Sequence, residues 1–364
     1  MRGSGRPVVM WFRNDLRLAD NPALHWAVET GRPVVVLFVL DENGTGRALG
    51  GAAKWWLHHS LAAHHRALRD IGIRLVLKRG CSLTVVCEIV AESGAECVVW
   101  NRRYDAPEIA LDKAIKSTLA QDGIEARSFN GSLLVEPWRM QTKSGTPFRV
   151  FTAFWKSLAA GLDVPAPLPA PTSVAPAPDS IASLDLADFD ILPRRDWARR
   201  FPEFWAPGEI GARSRLDAFL DRGLTDYETA RDVPSRSATS GLSPHLRFGE
   251  ISPAQIWRAV RMRRDAADLS DGGAAKFLSE IAWREFAYHL LYYNPDLARQ
   301  NYAKSFDAIP WRRDALLFAA WKAGKTGYPI VDAGMLELRQ TGWMHNRARM
   351  IAASFLVKHL LIDW

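Results

Sequence analysis

Five short strand-like runs, each followed by a stretch of helical periodicity except the last, fill the first 130 residues of this 364-residue chain and leave it little choice of fold. Val8–Phe12, Pro33–Leu40, Ile73–Lys78, Glu96–Trp100 and Glu125–Phe129 read as strands. They are short, bounded by turn residues and mostly rich in β-branched or aromatic side chains. Helices are predicted between them from Asn21, over Ala52–Asp70, near Leu83–Glu92 and near Pro107–Gln121. Alternation of this kind builds a doubly wound parallel α/β sheet with helices on both faces. Such sheets take ligands beyond the carboxyl ends of their strands. That directs attention to the loops Arg13–Asp15, Asp41–Arg47 and Asn101–Asp105.

Asp163–Ser180 (DVPAPLPAPTSVAPAPDS) is rich in Pro and Ala and reads as an extended, semi-rigid linker. Beyond Phe201 the strand signal stops, and Pro, Gly and Ser punctuate amphipathic stretches, so the second domain is expected to be helical. The chain therefore divides into an α/β domain (1–130), an interdomain linker (131–200) and an all-α domain (201–364).

Several classes are excluded. Three cysteines, Cys81, Cys87 and Cys97, are too few for a disulfide framework, and their spacing fits no zinc ribbon. The longest apolar run, Val34–Leu40, is far short of the ~20 residues of a membrane span. The N-terminus carries no signal-peptide pattern, and a cytoplasmic protein is expected. The net charge of +7 is spread over both domains and argues only weakly for nucleic acid. Composition says more. In residues 201–364, 17 of 22 basic side chains are Arg, accompanied by six of the seven Tyr and seven of the 15 Trp. Arg forks phosphate bidentately and stacks on rings, so this mixture suits a nucleic-acid groove or an anionic cofactor site as well as it suits a solvated helical surface.

Three motif-like signals fail. Gly44-x-Gly46-x-x-x-Gly50 misses the dinucleotide spacing and follows the second strand. Gly324-Lys325-Thr326 lacks the upstream glycine and strand of a phosphate loop. His58, His59, His64 and His65 offer no i,i+4 pair for a metal, and no metal site is expected.

Four segments remain. Trp11-Phe12-Arg13-Asn14-Asp15-Leu16-Arg17 follows the first strand. Tyr227 and Arg231 precede Thr239-Ser240-Gly241-Leu242-Ser243-Pro244, where small hydroxyl residues around a glycine offer donors to phosphate or simply cap a helix. Phe277–Phe286 places Glu280 beside Trp283 and Arg284 at i,i+3 and i,i+4. Gly342–Met350 places Asn346, Arg349 and Met350 on one face.

WFRNDLRLADNPAL, TSGLSPHLRFGEIS, FLSEIAWREF, GKTGYPIVDAGM and GWMHNRARMIAASFLVKHLLIDW resemble the DNA photolyase/cryptochrome family over nearly the whole chain. The resemblance is closest to class I cyclobutane pyrimidine dimer photolyases. It implies an antenna domain, a helical FAD-binding domain and light-driven repair of UV-damaged DNA by electron transfer from reduced FAD. Tyr227, Thr239, Ser240, Gly241, Leu242 and Ser243 would hold the flavin phosphates, and Phe277 would contact the flavin. Asn346 and Arg349 would lie at its ring. Glu280 would hydrogen-bond the damaged base pair, with Trp283 and Met350 packed on it. Arg231, Arg284 and Arg347 would grip phosphates. Trp311 and Trp364 would carry electrons. Asn101 matches a folate-contacting position, but Arg102 stands where some folate-binding members carry Glu, so the antenna pigment is left as methenyltetrahydrofolate or a deazaflavin.

Asn346 and Met350 favour a repair enzyme over a blue-light receptor of the cryptochrome type. Family members continue beyond Asp363-Trp364, so the helical domain is expected to be incomplete. On that basis the chain is expected to bind FAD weakly, or to be an inactive remnant; the resemblance implies a monomer, although an exposed truncation surface could cause association.

Overall fold

The computed structural model describes residues 5–364 apart from 43, 45, 46, 178, 179 and 268–270. Parts of the Asp41–Arg47 loop and of the Pro/Ala-rich segment thus lie outside the described residues, as does Gly46 of the rejected glycine motif.

The first domain alternates β1 (Val8–Phe12), α1 (Pro22–Glu29), β2 (Val34–Leu40), α2 (Gly51–Asp70), β3 (Leu75–Arg79), α3 (Ser82–Ser93), β4 (Cys97–Asn101), α4 (Ala106–Gln121) and β5 (Glu125–Phe129). The strands pair in parallel in the order β3-β2-β1-β4-β5. Because side chains alternate across a strand, β1 feeds both faces of the sheet. Val8, Met10 and Phe12 pack with Ala23 and Leu24 of α1 and Leu61 and Leu68 of α2. Val9 and Trp11 pack with Val86 and Ile89 of α3 and Ile115 and Leu119 of α4. Burial on both faces explains why β1 and β2 read as unbroken apolar runs.

The helical part comprises α5 (Phe151–Gly161), α6 (Phe201–Phe204), α7 (Glu209–Arg222), α8 (Tyr227–Ala230), α9 (Ser243–Phe248), α10 (Pro253–Ala267), α11 (Asp271–Tyr293), α12 (Ala315–Ala323), α13 (Pro329–Thr341) and α14 (Asn346–Ser354), followed by one π turn at Phe355–His359. Leu216 and Phe219 of α7, Tyr227 of α8, Ile256 and Trp257 of α10, and Phe277 and Ile281 of α11 share one core. Among the described residues no helix is long and apolar enough to cross a membrane.

Residues 131–200 do more than link. Helix α5 lies within them and packs Phe154 and Leu158 against Ala282 and Phe286 of α11. The chain then returns to the first domain. Leu168 O accepts from Asp20 N at 2.8 Å, Ala175 and Ala177 pair with Val34, and Leu184 N donates to Leu77 O at 2.9 Å. Proline-rich composition reports an extended backbone and is silent about what that backbone leans on.

The domains are joined by buried polar contacts. Arg17, 1% exposed, donates to the carbonyls of Asp20, Gly131 (2.6 Å) and Gly249 (3.0 Å). Gly249 has φ +68, and a Cβ there would fall 2.1 Å from Asn14 O, so only glycine admits this approach. Glu250, fully buried, accepts from Trp56 Nε1 at 2.9 Å and meets His245 Nδ1 at 2.5 Å.

Candidate functional site

The strand order reverses between β1 and β4, and the crevice there is filled by its own side chains. Arg13 pairs with Asp112 at 2.8 Å and Glu108 at 3.1 Å, and donates to Asn101 O at 2.6 Å. Asn101 is buried. Its Nδ2 donates to Asp15 Oδ2 at 2.7 Å and Asn21 Oδ1 at 2.8 Å, while Gly131 lies flat against its amide. Arg102 pairs with Glu136 at 2.5 Å. Of the loops expected to face a ligand here, Arg13–Asp15 and Asn101–Asp105 instead bond to each other and to α4 within the first domain.

A second polar cluster lies where α8, α11 and α14 meet. Tyr227 packs edge-on against Phe277, with ring centroids 5.2 Å apart. Burial pushes its phenol up to about 12, so it stays protonated. The Arg231 guanidinium lies 5.3 Å from the Tyr227 ring and pairs with Glu280 across to α11. Lys276, one turn before Glu280, approaches the same carboxylate at 3.5 Å. Arg347 of α14 closes the cluster by pairing with Asp232 at 2.7 Å. The hydrogen bond from Arg347 holds the Asp232 carboxyl below its usual range.

Between α8 and α9 the chain turns through Gly241, which has φ +64. A Cβ there would lie 3.2 Å from Arg215 Nη1, so a guanidinium sits against the turn formed by Thr239, Ser240, Gly241, Leu242 and Ser243. Arg215 is itself held by Phe204 O at 2.6 Å and by the Trp205 ring at 4.9 Å. Sequence reasoning missed Arg215 and Asp232. Neither belongs to the motifs that stood out, and their partners come from other elements.

Trp283 is 45% exposed and stacks on Phe151 of α5, with centroids 3.7 Å apart and planes 10° from parallel. Arg284 does not join Glu280 and Trp283. It turns the other way, donating to Ser132 O at 2.7 Å and lying 4.8 Å from the Tyr288 ring. Its neighbour Glu285 is buried and accepts from Leu134 N at 2.8 Å and Val135 N at 3.3 Å. Burial raises its carboxyl to about 7.

On α14, Asn346, Arg349 and Met350 are exposed on one face, as their spacing predicts. His345 caps the helix, its Nδ1 accepting from Arg347 N at 3.1 Å, and its buried Nε2 has no partner among the described residues. Trp311 and Trp364 line one cleft of about 270 Å³ with Arg299, Asn301 and Lys304, and Trp364 Nε1 donates to Asn301 at 3.1 Å.

Comparison with known proteins agrees with this architecture. Residues 8–172 match the family model described as DNA photolyase, and residues 277–364 match the FAD binding domain of DNA photolyase. The chain is 50% identical over 359 residues to a deoxyribodipyrimidine photo-lyase of Agrobacterium fabrum, covering 98% of this chain and 74% of that protein. It is 35% identical to cryptochrome-1 of Arabidopsis thaliana, covering all of this chain and 54% of that one. The crystal structure of a bacterial class III photolyase from Agrobacterium tumefaciens superimposes with a TM-score of 0.95 at 50% identity, covering 99% of this chain and 74% of that one. This chain therefore belongs to the DNA photolyase/cryptochrome family.

Proposed function

We propose that this protein binds FAD in its helical domain and, under blue light, splits cyclobutane pyrimidine dimers in DNA. The observation that carries the reading is the exposed Trp283–Phe151 stack one helical turn from Glu280. A large indole left in water, already seated on a second ring, is a platform for a third planar group such as a base. A dimer stacks and pairs less well than normal bases, so drawing it out of the duplex onto such a platform costs less.

The residues present suit FAD. Gly241, lacking a side chain, lets the Arg215 guanidinium lie against the backbone of this turn, and the Ser240 hydroxyl sits within it, accepting from Leu242 N at 3.4 Å. The Asn346 amide and Arg349 guanidinium face outward, and the unpartnered His345 Nε2 lies next in sequence. Tyr227, Thr239, Ser240, Gly241, Leu242 and Ser243 would hold the phosphates, with Phe277, Asn346 and Arg349 toward the ring. When bound, reduced FAD supplies one electron to the dimer on excitation and takes it back after the ring opens.

This chain's own residues then orient and stabilise. Glu280, fixed by Arg231 and Lys276, offers its carboxyl to the polar edge of the damaged bases. Trp283 and Met350 pack on them, and Arg231 and Arg347 act toward phosphate, whereas Arg284 is drawn away to Ser132 O. Arg231 and Arg347 are tied to Glu280 and Asp232 and so also set the shape of the rim. Trp311 and Trp364 would relay electrons inward from their cleft.

The match to a class III photolyase at 50% identity favours that class over class I. For an antenna pigment, folate or deazaflavin, the bonds already made by the Asn101 amide nitrogen argue against a contact through that nitrogen.

The test is an oligonucleotide carrying one thymine dimer, incubated with the FAD-supplemented, reduced protein in blue light or in darkness. The expected result is light-dependent loss of the dimer, with a flavin-to-protein ratio near one in the absorption spectrum. Bound, reducible flavin without repair would overturn the enzyme reading in favour of a cryptochrome-type receptor. Failure to retain flavin would favour an inactive remnant.

A further inference from the structure

We propose that residues 139–156 form a second DNA-contacting arm, in which Arg149 and Lys143 hold phosphates of the strand whose base stacks on Trp283. The inference rests on the DNA-repair reading above and adds residues to it. Between Glu136 and Asp163 the chain has no acidic side chain but four basic ones, Arg139, Lys143, Arg149 and Lys156. None of these four side chains makes a hydrogen bond or ion pair among the described residues. Several other charges near the site are neutralised locally, as in Arg231–Glu280, Arg347–Asp232 and Arg102–Glu136. An acid-free group of unpaired cations keeps its full attraction for a polyanion.

Unpaired surface cations are common, and most are merely solvated. What sets this group apart is how firmly it is fixed to the base-stacking helix. Phe151 is the second ring of the Trp283 platform. Phe148 N donates to His289 Nε2 at 3.0 Å, Leu134 N and Val135 N donate to Glu285, and Arg284 holds Ser132 O. All three anchors lie on α11. Between them the arm folds back on itself: Thr142 N donates to Thr146 O at 2.8 Å, and the hydroxyls of Thr142, Ser144 and Thr146 bond one another. Lys143 lies in that exposed turn, and Arg149 lies two residues before Phe151. The anchoring gives Glu285 and His289 a purpose that no local motif suggests: they keep the cations in register with the platform. A base seated on Trp283 carries its own phosphates toward the arm, because the arm supplies half of the platform.

The experiment compares the parental chain with the double variant Arg149→Gln/Lys143→Gln and with Trp283→Ala. Fluorescence anisotropy would follow binding to one oligonucleotide with and without a thymine dimer, in darkness, over a series of salt concentrations. The double variant is expected to weaken binding to both oligonucleotides alike. Its plot of log K against log salt should be shallower by about 2, one for each lost phosphate contact, with the preference for damage kept. Trp283→Ala is expected to lose the preference and keep the slope. A double variant with the parental slope would overturn the arm and leave the repair reading standing. A parental chain that binds neither oligonucleotide would overturn both. Both substituted side chains are exposed, so unchanged thermal melting will show that the fold is intact.

Discussion

Two polar clusters of similar composition sit at opposite ends of this molecule's chemistry. At the β1/β4 switch point Arg13, Asp15, Asn21, Asn101 and Asp112 are buried and bonded to one another, with Arg13 Nε and Asn101 Oδ1 left without a partner among the described residues. Where α8, α11 and α14 meet, Asn346, Arg349 and Met350 remain open to solvent, with Glu280 half-buried in its ion pair with Arg231, beside an exposed stacked indole. Both contain the residue types that bind ligands. Only the second opens to solvent. The contrast teaches that residue identity marks a polar cluster, while burial and partnering decide whether it is architecture or site.

The comparison can be broken most sharply at the architectural end. Arg17→Met should destabilise the protein by about 3–5 kcal/mol, because three buried carbonyls lose a charged donor at once. Chemical denaturation would show it, and a loss below about 1 kcal/mol would mean that the interface does not depend on these bonds.

The next effect is set by pH. The Glu285 carboxyl is raised by burial to about 7 from an ordinary value of 4.5. The folded state therefore binds the proton more tightly, and the stabilisation is complete below about 4.5 and is lost as pH rises to about 7. Glu285→Gln should remove this dependence, changing the difference from the parent by on the order of 3 kcal/mol across that window. His64 works in the opposite direction. Burial lowers it to about 3, so its contribution is lost as pH falls below 6.5, and His64→Leu separates the two. Equal pH profiles for the parent and Glu285→Gln would refute the assignment.

At the open end, Trp283→Ala should cost about 1–3 kcal/mol in binding dimer-containing DNA, the worth of one base stack. Its melting temperature should hardly move, which a thermal scan beside the binding titration checks. The smallest effect is expected at a pair belonging to neither cluster. Arg194 and Asp190 meet at 3.0 Å but are exposed, so Arg194→Ala should change stability by less than about 0.5 kcal/mol.

Periodicity made the sheet legible from sequence, because β1 to β4 are covered on both faces and their neighbours carry helical spacing. The return of residues 131–200 to the first domain was not legible, since Pro and Ala define a backbone shape without a partner. Spacing on α11 correctly made Glu280, Trp283 and Arg284 neighbours on the helix, but i,i+4 spacing says nothing of rotamers, and Ser132 O draws Arg284 away. Phe151 could not be paired with Trp283 from sequence, because the two meet only through the packing of α5 on α11. The outward face of Asn346, Arg349 and Met350 was legible because one helix carries all three.

The segment that doubles back over the sheet has a consequence for handling this protein. β3 is an outermost strand, and β2 begins two residues before their pairing starts, so both present free backbone groups at one margin. Ala175 and Ala177 occupy that margin at Val34, and Ser183 and Leu184 occupy it at Leu77. A bare flat margin of this kind recruits strands from other molecules. Trimming the chain to its first 130 residues would strip the cover away and remove Val174, Phe189, Ile191 and Phe201 from the core, so the isolated α/β unit should self-associate and precipitate.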